Sequence, residues 1–193
     1  MWIKVLGSIG FLCCFLYDIN SITRNNRWLK KFFFLGMVLI VCGTAGMFQT
    51  GWSAMRVCPV RTVLFGGFAL VMFAGLIYTL FFALPFETTY VKENQKREAY
   101  TEGMYALCRH PGVLWFIGLY LCIAGMAFTR ELLMDGLIYI GWNTAYIVLQ
   151  DLVIFPQTFW NYGEYRSVAP FLIPNRKSIR RCLVTFKERK AAK

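Results

Sequence analysis

Five long apolar runs, roughly 5–19, 32–50, 62–86, 112–129 and 132–151, organise the chain, and the loops between them are rich in Lys and Arg. A helix of about 20 residues crosses a hydrocarbon core of about 30 Å. Inside that core every backbone N–H and C=O must bond within the protein, which restricts a chain of this kind to helices or a closed barrel. Runs of this length predict an all-α, polytopic membrane helix bundle of about five transmembrane helices. A hydrophobic content of 58% agrees, being well above the level of soluble domains. The first run is short and follows Lys4, as a secretory leader would. No small-x-small cleavage site comes after it, however, and it runs directly into a basic loop, so it reads as a retained span.

No linker, low-complexity tract or fixed-period repeat divides the 193 residues. The expectation is a single membrane domain, with three spans in 1–86, two spans and the candidate site in 87–175, and a basic tail in 176–193. The seven cysteines are scattered, none in a CxxC pair, and the chain holds a single histidine. Neither a metal centre nor a disulfide framework is expected.

The formal charge of +11 raises the question of nucleic acid, but the cations lie between and after the apolar runs rather than on one soluble face. No nucleic-acid partner is expected. Seventeen Lys and Arg fall in the loop after the first run, the loop before the fourth and the tail, against four (Lys4, Arg56, Arg61, Arg130) on the other side. By the positive-inside rule the N-terminus is outside and the C-terminal tail cytoplasmic. The cluster Arg176, Lys177, Arg180 and Arg181 is expected to meet anionic lipid headgroups.

With that topology Arg109 and His110, just before the fourth run, share a membrane face with Gln150 and Asp151 at the end of the fifth. Pro111 should open the fourth helix, and Pro156 should end the fifth. Phe155, Phe159 and Tyr162 recur at helical spacing, and Pro170 and Pro174 punctuate an apolar segment downstream of them. A cytosolic C-terminal interfacial helix and an extended tail are predicted there. Asp135, inside the fifth run, is expected to face water near its outer end.

Two segments carry a resemblance. TEGMYALCRHPG, with Thr101, Gly103, Tyr105, Arg109, His110 and Pro111, resembles the TxGxYxxxRHP signature of the integral-membrane methyltransferases, which include isoprenylcysteine carboxyl methyltransferases and phospholipid methyltransferases. The stretch from Gln150 to Pro174 is similar to that family's C-terminal block, with Asp151 on the second position of an acidic pair and Tyr162, Tyr165 and Pro170 on its tyrosines and proline. Gln150 stands at the first acidic position, and Val113 and Trp115 stand where the signature continues with tyrosine and glycine.

The resemblance implies S-adenosylmethionine as cofactor, bound by Gly103, Tyr105, Arg109, His110, Pro111, Gln150, Asp151, Tyr162 and Tyr165, and a lipid-like acceptor arriving from the bilayer. The chemistry would be in-line transfer of the sulfonium methyl, in which alignment and exclusion of water do most of the work. Arg109 would pair with a carboxylate of cofactor or substrate. Asp151 would hold a hydroxyl or amino group, and Tyr162 or Trp160 would face the sulfonium. For an amine acceptor His110 is the first candidate base, because its unperturbed pKa is near neutrality. Two further readings compete: a catalytically degenerate membrane scaffold or partner subunit, and a membrane reductase using NADPH, for whose extra phosphate only the basic cluster at 176–181 is suited.

Overall fold

The computed structural model describes residues 2–83 and 97–191, with side chains to residue 187. In chain order the helices are α1 (Trp2–Ile22), α2 (Lys31–Val57), α3 (Pro59–Ile77, continued by a π-helical turn Tyr78–Phe82), α4 (Met104–Leu107), α5 (Pro111–Ala127), α6 (Arg130–Leu149, continued by a π-helical turn Gln150–Ile154), α7 (Phe155–Thr158), α8 (Tyr162–Val168) and α9 (Arg176–Ala191). No strand occurs among the described residues, only an isolated bridge between Arg97 and Phe159. The end of the third apolar run (84–86) and the loop cations Lys92 and Lys96 lie outside the described residues.

Four helical stretches are long and apolar enough to cross a membrane: Trp2–Ile22, Lys31–Val57, Pro59–Phe82 and Arg130–Thr158. A fifth apolar helix, Pro111–Ala127, is shorter, at 17 residues. The chain is therefore a multi-pass helical membrane protein. It divides into two compact units, Met1–Phe73 with Phe116–Ile154, and Ala74–Trp115 with Phe155–Lys193.

In the first unit α1 and α2 run antiparallel: Gly10 meets Gly36 where they cross, and Trp2 lies against Gly46 further along. Gly43 of α2 faces Tyr139 of α6. Arg61 at the start of α3 donates to the carbonyls of Met126 and Ala127 at the end of α5, at 3.2 and 3.1 Å, and to Ala54 of α2 at 3.2 Å. An arginine counted by sequence as an outer-loop cation thus closes off helix ends, where carbonyls lack intrahelical partners. By contrast, α3 buries only Ala69 against the fold, and its Val60, Val63 and Leu70 stand exposed, as suits side chains bathed in lipid.

Polar side chains join α1 to α6, and their order along both helices shows that the two run parallel. Tyr139 Oη donates to the Ile3 carbonyl at 3.0 Å, Trp142 Nε1 donates to Ser8 Oγ at 2.8 Å, and Gln150 Nε2 donates to Asp18 Oδ2 at 2.8 Å. Asp135 does not face water as expected. It is buried and lies 3.7 Å from Lys4 Nζ, the pairing that a carboxylate needs when it leaves water.

Pro156 likewise does not end the fifth long helix, which continues to Thr158. The proline stands just after the π-helical turn Gln150–Ile154, where the regular α-helical ladder is already interrupted. The predicted interfacial helix through Phe155, Phe159 and Tyr162 is instead two short helices, α7 and α8. Between them Trp160 N donates to the Arg97 carbonyl at 3.1 Å, and this non-local pairing interrupts the helical ladder. The stretch around Pro170 and Pro174 is non-helical, and the basic tail after it forms a helix. Asn175 Oδ1 accepts from Ser178 N at 2.9 Å while Ser178 Oγ accepts from Asn175 N at 3.0 Å, a reciprocal cap that starts α9.

The crossing of α1 and α2 depends on the absence of side chains. A Cβ added at Gly36 would sit 2.6 Å from the backbone oxygen of Gly10, which cannot rotate away. Gly36→Ala is expected to destabilise the fold by about 1–3 kcal/mol, the usual cost of overpacking, while Gly67→Ala, which meets nothing within 4 Å, is expected to be neutral or slightly stabilising. Unfolding midpoints of the two variants in mild detergent check this.

Candidate functional site

The second unit gathers the TEGMYALCRHP segment and the tyrosine-rich tail into one body. Gly103 has φ of +58°, a conformation that only glycine adopts without strain, and its N–H donates to Thr185 Oγ1 of α9 at 3.0 Å. The turn so made starts α4, and Tyr105 on that helix donates through its hydroxyl to the Thr79 carbonyl at 3.2 Å. In return the Tyr105 carbonyl accepts the hydroxyl of Tyr165 at 2.8 Å. Residues 60 positions apart are thereby tied together through a buried tyrosine.

Arg109 adds a second tie. Its backbone N–H donates to the Pro170 carbonyl at 2.9 Å, and Nη1 donates to the Ala169 carbonyl at 2.7 Å and the Arg166 carbonyl at 3.3 Å. The guanidinium also lies over the Phe171 ring, 5.6 Å from its centroid. A cation at the C-terminal end of α8 meets both unpaired carbonyls and the negative end of the helix dipole. His110, only 6% exposed, stacks on Phe155 with centroids 5.7 Å apart and meets Phe171 edge-on at 5.2 Å. Pro111 opens α5, as expected, and is fully buried. Tyr162 and Tyr165 are buried with Ala99 and Ala169, packed by Tyr105, Phe155 and Phe159.

A half-open cleft of about 300 Å³ lies in this unit, at the lower end of the range for small-molecule sites. Glu98, Glu164 and Arg181 bring charge to its walls, and Thr101, Asn161 and Tyr165 bring hydrogen-bonding groups. Asn161 is fixed: its Oδ1 accepts from Ala99 N at 2.7 Å, and its Nδ2 donates to the Ala99 carbonyl at 3.2 Å and Glu98 Oε1 at 3.3 Å. Arg181 reaches from α9 to the Val168 carbonyl at 3.0 Å.

Of the residues singled out from sequence, Gly103, Tyr105, Arg109, His110, Pro111, Tyr162 and Tyr165 belong to the second unit, and Tyr165 lines the cleft. Gln150 and Asp151 belong to the first unit, on the π-helical turn, with Asp151 buried. Glu98, Asn161 and Glu164 were not singled out, since no local pattern marks them, and Arg181 was read only as a headgroup-facing cation of the basic cluster. Trp115, where a smaller residue was expected, lies against Gly75, where an added Cβ would come within 2.6 Å of the indole. Among the described residues the buried Trp115 Nε1 has no hydrogen-bond partner.

The sequence matches no protein-family model, and no curated protein or solved structure matches it. The class defined by the fold is that of an all-helical, multi-pass membrane protein, whose second unit carries a polar cleft beside the interlocked RHP and tail segments.

Burial raises the Tyr165 phenol, reinforced by Tyr105 and Tyr162, so it stays a neutral donor. Burial also pushes the Cys108 thiol from its ordinary 9.0 to about 11, with Cys182 adding to the rise and the His110 backbone and Arg109 opposing it. Because the unfolded chain releases this proton first, the contribution to stability is full below pH 9.0 and is lost as pH rises toward about 11. Alkylation of Cys108 in the folded protein, followed by peptide mapping, should stay slow at pH 9.0 and accelerate only on approach to about 11.

Proposed function

We propose that the protein is an integral-membrane methyltransferase that uses S-adenosylmethionine and takes a lipid-like acceptor from the bilayer. The observation that carries this reading is the interlocking of the TEGMYALCRHP segment with the Tyr162–Pro170 block, through Tyr165 to Tyr105 and Arg109 to Ala169, beside a cleft of mixed charge. The cleft's groups suit a zwitterionic cofactor. Glu98 and Glu164 can accept from an ammonium group or ribose hydroxyls, and Arg181 can donate to a carboxylate. The parallel course of α1 and α6, which suits the first and last of an odd number of crossings, supports five spans. Together with the charge bias of the loops it favours the N-terminus outside and the tail cytoplasmic.

When bound, S-adenosylmethionine supplies a methyl group on a sulfonium. The chain's own residues align and exclude water, which is what such a displacement needs. The ring of Tyr165, on the cleft wall, suits a neighbouring cation. Arg109 acts as a positioning residue, since its hydrogen bonds to backbone carbonyls hold residues 166–170 in place. His110, held between Phe155 and Phe171, is the group suited to receive a proton if the acceptor is an amine.

A second reading, a non-catalytic membrane scaffold, is favoured by one observation: Arg109 and His110 both have structural work, on carbonyls and between aromatic rings. Equilibrium binding of labelled S-adenosylmethionine to the purified protein in detergent separates the two. Saturable binding is expected, weakened about tenfold or more by Glu164→Gln and by Arg181→Ala, since about 1.4 kcal/mol corresponds to each factor of ten. His110→Ala is assayed for transfer of label to a lipid extract, with loss expected. Absence of saturable binding by the wild type would overturn the methyltransferase and leave the scaffold.

A further inference from the structure

Helix α9 has two faces with different tasks. Its inward face rests on α4: Ser178 and Cys182 are buried, Thr185 accepts from the Gly103 N–H, and Phe186 lies 3.7 Å from where a Gly103 side chain would begin. At about 100° per residue, Arg176, Arg180 and Lys187 fall within about 40° of one another on the opposite face. All three are exposed. Beside them stand Ile179 and Leu183, four residues apart and exposed by 45% and 59%.

Across the helix sequence RKSIRRCLVTFKERKA there are seven Lys and Arg against one Glu. Cations flanked by an exposed aliphatic ridge match a headgroup layer, where phosphates meet the charges and the glycerol and upper acyl region takes the apolar side chains. The surface at hand is the bilayer itself. The α4 helix under α9 ends at Leu107, and the apolar α5 begins at Pro111, so α9 packs on a segment only a few residues from the start of a membrane helix.

We infer that α9 is a surface clamp that docks on an anionic bilayer through Arg176, Arg180, Lys187, Ile179 and Leu183. Its other face holds the turn at Gly103 through Thr185 and the end of α8 through Arg181. Bilayer charge therefore steadies the segment that carries Tyr105 and Arg109. This inference stands whether or not the protein transfers methyl groups.

Hydrogen–deuterium exchange of the full chain tests it, in nanodiscs of phosphatidylcholine alone and of phosphatidylcholine with about a third phosphatidylserine. The amides of 176–187 and the Gly103 amide are expected to exchange about tenfold more slowly in the anionic discs. The triple change R176Q, R180Q and K187Q should abolish the difference, and Leu183→Ser should reduce it while leaving exchange in α1 and α2 unchanged. Equal exchange in both discs would overturn the inference, as would protection that survives the triple change. Protection reproduced by inorganic phosphate in neutral discs would overturn the bilayer as the partner.

Discussion

A backbone in hydrocarbon has no water to bond, so each N–H and C=O must find its partner inside the protein. In this chain that constraint selects long helices, and the consequences appear at their ends and crossings. Where α1 and α2 meet, two glycines allow the backbones to touch, because apolar side chains gain nothing from leaving lipid for one another. Where α2 and α5 end, Arg61 donates to carbonyls that the helices leave unpaired. A single guanidinium here satisfies several acceptors at once.

The second unit applies the same device to tertiary structure. Arg109 and Asn161 direct their donors mainly to main-chain oxygens, so segments of irregular backbone are held together without a sheet. A backbone tied from both sides gives Tyr165 and Thr101 fixed positions on the cleft wall. Preorganisation of that kind is what a binding site requires, and it also serves a purely structural junction. Glu98, Glu164 and Arg181 add charges of both signs to that wall.

The apolar helices were legible because length and polarity alone decide them: all five apolar runs became helical, though the second and fifth continue past the predicted limits to Val57 and Thr158 and the third runs past the described residues. The start of α9 was also in reach, since Asn175 and Ser178 stand at the spacing of a reciprocal cap. What could not be read was set by distant partners. The aromatic periodicity of Phe155, Phe159 and Tyr162 implied one helix, but pairing of Trp160 with Arg97 breaks it. The cleft shows the same limit: Glu98 and Arg181 come together only after the chain between them is folded, and the basic cluster that holds Arg181 gave no sign of a cleft.

The glutamine at position 150 illustrates how such context changes the meaning of a residue. By sequence it stood where an acidic pair was expected, next to Asp151. In the fold its amide donates to Asp18, a buried carboxylate on α1. A glutamate in its place would bring a second negative charge against the first in a region poor in water, which raises the energy of both. An amide supplies the donor that a buried carboxylate needs and adds no charge. Gln150 therefore joins α1 to the π-helical turn that carries Asp151, and what looked like a missing acid is the neutral partner that lets Asp18 stay buried.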